Sequence, residues 1–301
     1  MAKAPKSVAG QVVAITGGAR GIGRATAAAL ISQGARVAIG DIDAGLAAQT
    51  AQELGSGTIG LPLDVTQRES FDEFLTEVES RLGPLEVLIN NAGIMPLGTF
   101  VDEDDATADR LIDINLKGVI FGSKLALKRF LPRQRGHLVN IASTAGKSGF
   151  PGGATYCATK HAVVGLSEAI RQEVKDVGIG VSIVMPIVVN TELGSGLAEA
   201  RGFKAVEPED VANAIVEALQ FGRVDVYVPK RIGSVMRSQA VLPRRVVDGI
   251  GRFFKGDQVL TNLDHAKRAA YEARMAETIA GDSQAAQDDQ THAEETHAQV
   301  A

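Results

Sequence analysis

The feature of this sequence that most constrains its fold is a regular alternation of short apolar runs with longer amphipathic stretches. The apolar runs are rich in Val and Ile and occupy residues 11–16, 35–40, 57–63, 85–90, 137–142, 180–185 and 224–228. Near-continuous runs of this kind are typical of strands that are buried on both faces. Helix-like segments separate them, near 21–33, 43–54, 67–81, 105–130, 156–176 and 208–221. The alternation predicts an α/β fold, in which helices cover both sides of a doubly wound parallel sheet.

The composition excludes several classes of protein. The 301 residues carry a net charge of −5 and are 45% hydrophobic, so a large core is expected and no nucleic-acid partner is indicated. A single cysteine, Cys157, excludes an internal disulfide and fits a reducing compartment. No apolar run approaches the roughly 18 residues of a spanning helix, and the first residues lack the apolar region of a secretory signal. We therefore expect a cytoplasmic protein, and we assign no metal ligands.

The chain divides into three parts by composition. Residues 1–229 contain the strand–helix alternation and are expected to form one α/β domain. Residues 230–280 begin with a basic amphipathic segment and are expected to form a helical extension. Residues 281–301 are polar and acidic, so we expect a disordered tail there.

The basic segment 230–256 allows two interpretations. Five apolar residues fall at helical spacing among Arg and Lys residues: Val246, Val247, Ile250, Phe253 and Phe254. This pattern is typical of a helix that lies on an anionic membrane surface. It also fits a helix that packs over the sheet edge or against a partner subunit, with its cations in water. Pro243 interrupts the apolar stripe, which favours packing over membrane contact.

A glycine-rich stretch, TGGARGIG at 16–23, lies where the first strand should end and the first helix begin. A pyrophosphate can approach the backbone closely where residues lack side chains, N–H donors are free and a helix begins. Gly17, Gly21 and Gly23 supply the residues without side chains. The spacing differs from the G-x-G-x-x-G of ordinary dinucleotide folds. The order of strand, loop and helix nevertheless favours a nucleotide site over a glycine-rich turn without a ligand.

Acidic residues end the next two strands. Asp41 lies 20 residues after Gly21, where a carboxylate can accept hydrogen bonds from the adenosine ribose hydroxyls and would repel a 2′-phosphate. This position favours NAD, with NADP as the alternative because Arg20 could hold a 2′-phosphate. Asp64 ends the third strand, where it could meet the adenine amino group or simply cap the next segment.

Tyr156 is one of three tyrosines in the chain, and Lys160 follows it one helical turn later. Residues i and i+4 of a helix share a face, so this spacing places an ammonium group beside the phenol. The pKa of a free tyrosine is about 10, and a Lys⁺ in a desolvated site can move it toward about 7, which takes about 4 kcal/mol. The pair is a candidate acid/base. The alternative is a packed aromatic ring with a solvated lysine.

Together these motifs resemble the classical short-chain dehydrogenase/reductase family. The matching pieces, in chain order, are TGGARGIG, Asp41, LDV at 63–65, NNAG at 90–93, Asn115, Ser143, YCATK at 156–160 and MPIVVNT at 185–191. They extend from residue 11 to about 229. The resemblance implies a Rossmann-type, seven-stranded parallel sheet in three α/β/α layers, and a dinucleotide-binding catalytic domain over 1–229. One departure is Ile187, which follows Pro186 where the family usually has Gly.

The resemblance also implies an activity and residue roles. The activity is hydride transfer between a nicotinamide and an alcohol or ketone carbon, with Tyr156 as acid/base and Lys160 holding the nicotinamide ribose. Ser143 would bind the substrate oxygen, and Asn115 would hold a water that relays protons. Taken singly, Ser143 could instead cap the next segment and Asn115 could bond nearby backbone. The residues expected to bind cofactor are Gly17, Arg20, Gly21, Ile22, Gly23, Asp41, Asp64, Val65, Asn91, Ala92, Gly93, Tyr156, Lys160, Pro186, Ile187, Val189 and Thr191.

The residues expected at the mouth of the site are mostly apolar: Ile94, Met95, Pro96, Thr144, Ala145, Ile187, Val188 and Leu193. With no fixed cation aimed at a carboxylate, they favour a lipophilic secondary alcohol or ketone as substrate. Family members usually pair through the helices after strands four and five, so the resemblance implies a homodimer. Two other functions stay open from the sequence: a non-catalytic dinucleotide sensor or scaffold, and a lipid reductase that touches a membrane surface through 230–256.

Overall fold

A computed structural model describes residues 4–197, 204–239, 242–253 and 263–276. Its strands form one seven-stranded sheet in which all neighbours are parallel, with the order β3-β2-β1-β4-β5-β6-β7. The strands are β1 (Val12–Thr16), β2 (Arg36–Asp41), β3 (Ile59–Pro62), β4 (Leu85–Asn90), β5 (Gly136–Ile141), β6 (Ile179–Pro186) and β7 (Asp225–Val228). Each strand overlaps one of the seven apolar runs, so the predicted parallel sheet is confirmed.

Helices cover both faces of this sheet. They are α1 (Gly21–Ser32), α2 (Ala44–Leu54), α3 (Arg68–Leu82), α4 (Asp105–Ile112), α5 (Gly118–Phe130), α6 (Ala154–Val174), α7 (Pro208–Phe221), α8 (Ile232–Gln239) and α9 (Arg244–Phe253), and residues 265–276 are also helical. Successive side chains of a strand point to opposite faces. Val13 and Ile15 of β1 therefore pack with α1 and α7, whereas Val12 and Ala14 pack with α3 and α5. The predicted three-layer arrangement is confirmed.

The order of the strands reverses beside β1. The chain places β2 and β3 outward on one side of β1 and then returns to place β4 on the other side. The loops that leave the carboxyl ends of β1 and β4 therefore diverge, and the crevice between such loops is where open α/β sheets bind ligands. The topology places the glycine-rich loop and the NNAG segment at this crevice.

A buried chain of hydrogen bonds fixes helix α6 to the centre of the sheet. The Asn90 side-chain amide donates to Asn140 Oδ1 at 2.8 Å, and the Asn140 amide donates to Ser167 Oγ of α6 at 2.8 Å. Ser167 in turn donates to the Val163 carbonyl at 2.6 Å. Because a buried polar group without a partner is costly, this chain specifies how α6 sits on β4 and β5.

The segment 105–130 differs from the single helix that its pattern predicts. One wider π-helical turn, Asp113–Lys117, separates α4 from α5. Within this turn, Asn115 Oδ1 accepts a hydrogen bond from the Ile94 N–H at 2.8 Å, and Asn115 Nδ2 donates to the Ile94 carbonyl at 2.9 Å. The wider turn lets the Asn115 side chain reach the loop after β4, and apolar periodicity alone does not reveal such an insertion.

The extension after β7 packs onto the domain at its start. Ile232 of α8 belongs to a buried cluster that contains Tyr227 of β7, and Val235 and Met236 pack against the same cluster. These contacts favour the packing interpretation of the basic segment. The Ile250 and Phe253 side chains, residues 254–256 and the predicted disordered tail 281–301 lie outside what the structure describes.

A substitution at Gly122 of α5 tests how closely this helix packs on the sheet. A methyl group there would lie 2.3 Å from Asn90 Oδ1 and 2.5 Å from the Phe71 ring. We expect Gly122→Ala to lower the free energy of unfolding by about 1–3 kcal/mol, the usual cost of overpacking. Gly165→Ala in α6 is the matched control, because its methyl group meets open space and gains about 0.5–1 kcal/mol from helix propensity. Similar effects of both substitutions in urea denaturation would contradict the packing.

Candidate active site

A cleft of about 1570 Å³ opens at the carboxyl end of the sheet. Pockets for drug-sized ligands are commonly about 300–1,000 Å³, so this cleft has room for a dinucleotide and a second small molecule. The predicted site residues that line it are Gly17, Arg20, Gly21, Ile22, Asp41, Asp64, Val65, Asn91, Ala92, Gly93, Ser143, Tyr156, Lys160, Pro186, Ile187, Val189 and Thr191. Gly23 and Asn115 are the two predicted residues that lie behind its wall.

Hydrogen bonds hold the glycine loop against the loop that follows β4. Thr16 Oγ1 accepts from the backbone N–H groups of Asn91 and Ala92 at 2.9 and 3.0 Å. The Asn91 side-chain amide donates to the Thr16 and Gly17 carbonyls, at 2.9 Å each. A side chain on Gly17 would come within 2.9 Å of Ala92 Cα, and one on Gly23 within 2.2 Å of the Gly17 carbonyl oxygen. Gly23 therefore closes the turn from inside, and its contact with the cofactor stays a prediction.

The first turn of α1 can accommodate a pyrophosphate. The helix begins at Gly21, whose φ of 49° lies in the left-handed region that glycine adopts readily. Backbone N–H groups without helical partners occur at such a start, and together with the helix dipole they favour an anion. A side chain on Gly21 would lie 3.1 Å from the Thr191 methyl group, so the lack of one keeps this end of the cleft open.

Asp41 ends β2 at the edge of the cleft. Its Oδ2 accepts from the Ala19 N–H at 3.1 Å, and its Oδ1 accepts from the Asp43 N–H at 3.2 Å. Arg20, the cation that could have held a 2′-phosphate, forms an ion pair with Asp43 at 3.0 Å. The carboxylate of Asp41 therefore lines the cleft, while the charge of Arg20 is engaged by a neighbouring acid.

Asp64 stabilises the turn that follows β3, which is the local role that the sequence left open beside an adenine contact. Its Oδ1 accepts from the N–H and the hydroxyl of Thr66, at 2.8 and 2.7 Å, in a turn that leads toward α3. The residue also lines the cleft together with Val65. The structure is thus compatible with an adenine contact in addition to the turn.

Tyr156 and Lys160 lie on one face of α6, as their spacing predicts, and both are buried. Lys160 Nζ is 5.7 Å from the centre of the Tyr156 ring and donates a hydrogen bond to the Ile141 carbonyl at 3.0 Å. A methyl group on Gly93 would lie 3.6 Å from the same Nζ and 3.1 Å from Asn115 Oδ1. The absence of a side chain at Gly93 therefore leaves space beside the lysine.

The electrostatics of this pair differ from the sequence prediction. Burial raises the pKa of Tyr156 above that of free tyrosine, and a hydrogen bond with Ser143 offsets this only in part. Burial also lowers the pKa of Lys160 to about 8. The expectation of a phenol pKa near 7 is therefore wrong for this arrangement, because burial is the largest influence on it. The phenol is a protonated donor at neutral pH.

Ser143 and Asn115 both fill the local structural roles that the sequence left open as alternatives. Ser143 lines the cleft next to Tyr156, and its Oγ also accepts from the Ala145 N–H at 3.1 Å, which caps a short 3₁₀ turn. Asn115 lies behind the wall, where it bonds the Ile94 backbone and contacts Thr159 Oγ1 at 3.4 Å. Both of its amide atoms are used, so its direct effect is to fix the backbone of the mouth at Ile94.

The mouth of the cleft contains residues that the sequence analysis missed. All the predicted mouth residues except Pro96 line it. So do Leu242, which precedes α9, and residues of α9 and of the helix at 265–276, here called the C-terminal helix: Arg244, Val247, Asp248, Tyr271, Arg274 and Met275. The one sequence feature that could have drawn attention to Tyr271 is that the chain has only three tyrosines.

The cleft also contains basic residues that the sequence analysis did not place at its mouth. Besides Arg20 and Lys160, four Arg and Lys side chains line the cleft: Arg110, Lys147, Arg244 and Arg274. At least two of them are ion-paired, since Lys147 lies 3.0 Å from Glu168 and Arg274 lies 2.6 Å from Glu192. In the described ranges no helix is long and apolar enough to cross a membrane, and no three His, Cys, Asp or Glu side chains are grouped to bind a metal ion.

Comparisons with known proteins agree with this geometry. The family model described as short chain dehydrogenase matches residues 11–202. The chain is 37% identical to 2-(S)-hydroxypropyl-CoM dehydrogenase 3 of Xanthobacter autotrophicus, over 68% of this chain and 88% of that protein. It is 30% identical to 17-beta-hydroxysteroid dehydrogenase 13 of Rattus norvegicus, over 82% of this chain and 84% of that protein.

A solved structure extends the comparison to the fold. The crystal structure of a short chain dehydrogenase/reductase from Burkholderia phymatum in complex with NAD matches with a TM-score of 0.71 at 26% identity, over 77% of this chain and 93% of that chain. Because the family model spans more than half of the chain, and both relatives align with over two thirds of it, this chain belongs to the short chain dehydrogenase family of oxidoreductases.

Proposed function

We propose that this protein interconverts a lipophilic secondary alcohol and its ketone, with NAD as the hydride carrier and Tyr156 as the acid/base. The observation that carries the proposal is one continuous cleft with Tyr156, Lys160 and Ser143 on its wall and the glycine loop and Asp41 at its other end. A reaction centre and a dinucleotide site therefore share one cavity.

Tyr156 is suited to donate a proton to a ketone. Burial keeps its phenol protonated, and the Ser143 hydroxyl lies beside it. A carbonyl oxygen that accepts from both hydroxyls is held in one orientation, and the charge that develops on it is stabilised. The nicotinamide, when bound, supplies the hydride to the carbonyl carbon or removes it in the reverse reaction. Tyr156 passes its proton to the oxygen as the carbon–hydrogen bond forms.

Lys160 supports this proton transfer from behind the phenol. One of its three N–H donors is used by the Ile141 carbonyl, so others are available for a ribose hydroxyl at the open side of Gly93. With a pKa of about 8 the amine is mostly charged at neutral pH, and it stabilises the phenolate that forms when Tyr156 gives up its proton. The water relay through Asn115 stays a prediction.

Two observations support NAD over NADP and a lipophilic substrate. Asp41 lines the cleft at the end of β2, where a carboxylate would repel a 2′-phosphate, and the Arg20 charge is paired with Asp43. The substrate end of the cleft is rich in apolar side chains, including Met95, Leu193 and Met275. The relative from Rattus norvegicus is named a hydroxysteroid dehydrogenase, which is consistent with an apolar substrate here.

The remaining parts of the proposal concern assembly and location. We propose a cytoplasmic homodimer that pairs through the helices after β4 and β5. A non-catalytic sensor or scaffold is the second candidate, since a dinucleotide site alone does not require turnover. Contact of 230–256 with a membrane is a weaker alternative, because α8 packs on Tyr227 and Val247 of α9 lines the cleft, although Val246 is 45% exposed.

Tyr156→Phe separates the enzyme from the sensor. We expect kcat/KM for any accepted ketone to fall by about 10²–10⁴, because the proton donor is lost. NADH binding, followed by its fluorescence, should stay within about threefold of the wild type, since the glycine loop and Asp41 are untouched. Retained turnover would reject the role of Tyr156, and a wild type that binds NADH but converts no alcohol or ketone would favour the sensor.

Asp41→Asn tests the choice of cofactor. The amide keeps one oxygen for the Ala19 N–H but removes the negative charge, so the electrostatic penalty on a 2′-phosphate disappears. We expect the ratio of kcat/KM for NADP to that for NAD to rise about tenfold or more. Glu53→Gln, which removes an exposed carboxylate paired with Arg24 outside the cleft, should leave the ratio unchanged.

Lys160→Met tests the energetic cost of the buried amine. Burial lowers the folded-state pKa from 10.5 to about 8, which corresponds to about 3 kcal/mol of destabilisation by the charged form. The penalty is fully present below pH 8 and disappears as the unfolded chain also loses the proton near pH 10.5. We expect the variant to lose activity yet to be more stable than the wild type at pH 7, with the advantage shrinking between pH 8 and 10.5. Denaturation at both ends of this range measures the difference, and an advantage independent of pH would contradict the argument.

A further inference from the structure

The helix at residues 265–276 returns to the substrate end of the cleft. Asp264 caps its start, since Asp264 Oδ1 accepts from the Lys267 N–H at 3.2 Å. The Asp264 N–H donates to the Gly196 carbonyl at 2.9 Å. Gly196 has a φ of 74°, and a side chain there would come within 2.5 Å of the Asp264 carbonyl oxygen. The C-terminal helix is therefore joined directly to the segment 193–197 that follows β6.

Arg268 fastens this helix to two separate parts of the cleft wall. Its guanidinium is fully buried and donates to the Leu193 and Ser195 carbonyls at 3.0 Å each and to the Met95 carbonyl. A buried cation is costly unless its donors are satisfied, and the planar fork of arginine suits several carbonyls at once. Arg268 thereby fixes the distance between the helix, the segment 193–197 and the loop after β4.

Tyr271, one helical turn from Arg268, turns its phenol into the cleft. The Arg268 guanidinium lies 4.7 Å from the centre of its ring, and Tyr271 Oη accepts from the Met95 N–H at 2.7 Å. Its own hydroxyl proton has no acceptor among the residues the structure describes. Burial raises the pKa of Tyr271, so the hydroxyl stays a donor, and Tyr271 lines the same cleft as Tyr156.

We propose that Tyr271 contacts the substrate directly: its hydroxyl donates a hydrogen bond to a second oxygen of the substrate, and Arg268 is the positioning residue that holds it there. The inference rests on the proposed function and narrows its substrate class. Tyr156 and Ser143 bind the reacting oxygen, while Tyr271 offers a further donor from the helix at 265–276. The preferred substrate is then a lipophilic ketone or alcohol that carries a second oxygen acceptor close to the reacting carbon, such as a β-keto or β-hydroxy ester.

The test compares β-keto esters with methyl ketones of matched chain length, each reduced with NADH. The measured quantity is the ratio of kcat/KM for the ester to that for the ketone, because a ratio cancels general damage to the site. We expect Tyr271→Phe to lower this ratio about tenfold, the value of one neutral hydrogen bond. Tyr227→Phe is the matched control, because Tyr227 is buried on β7 outside the cleft.

Arg268→Met tests the positioning role. We expect it to lower the same ratio and to raise KM for the ester, while the Kd for NADH is unchanged. Arg129→Met is its control, since Arg129 forms a comparable set of bonds to Asp72, Glu79 and the Leu125 carbonyl far from the cleft. It should cost stability without changing the ratio. If Arg268→Met does not fold, Tyr271→Phe still decides the substrate contact.

The outcomes separate this inference from the proposed function. A ratio that is unchanged in Tyr271→Phe, with both substrate classes reduced, overturns the inference and leaves the proposed function standing. A ratio that falls equally in Tyr227→Phe also overturns it. A wild-type protein that reduces neither class, across a series of chain lengths, overturns the proposed function and the inference with it.

Discussion

The contact between the first and fourth strands at their carboxyl ends holds this protein's site together. Thr16 at the end of β1 accepts two backbone hydrogen bonds from the segment after β4, and Asn91 returns two from its side chain. The two loops must diverge here because the strand order reverses, and these bonds limit how far they part. The glycines then matter for a steric reason, since any side chain on Gly17 would collide with Ala92. The crevice is wide enough for a ligand and rigid because both of its walls share hydrogen-bond partners.

Much of this architecture can be predicted from the sequence because its causes are local. Strands buried on both faces need apolar runs, a glycine-rich turn shows in composition, and the i, i+4 spacing places Tyr156 and Lys160 on one face of α6. The π-helical turn at Asn115 was not predictable, since a single inserted residue leaves the apolar pattern almost intact. Tyr271 and Arg268 were missed for a different reason. Their importance comes from contacts with Met95 and Leu193, which only the folded chain brings near.

The predicted lowering of the Tyr156 pKa was wrong because it considered the charge of Lys160 but not the burial of both side chains. Spacing correctly placed Lys160 beside the phenol, but it carries no information about how deeply both groups are buried. Desolvation acts on each group separately and favours the neutral form of both. The fold therefore holds an amine and a phenol in a buried site that disfavours the charged form of each. Tertiary interactions such as the Asn90–Asn140–Ser167 hydrogen bonds keep α6 in place despite that cost.

The two ends of the cleft differ in how much chain must be folded before each exists. At the nucleotide end, Asp41 meets Ala19 across 22 positions of sequence, whereas at the substrate end Tyr271 meets Met95 across 176. Closing a longer loop costs more entropy, and contacts of long range are generally slow to form. The wall at Tyr271, which we propose contacts the substrate, thus forms only when nearly the whole chain has folded. Loosening of the C-terminal helix would therefore weaken the proposed substrate selection before it weakened the proposed dinucleotide binding.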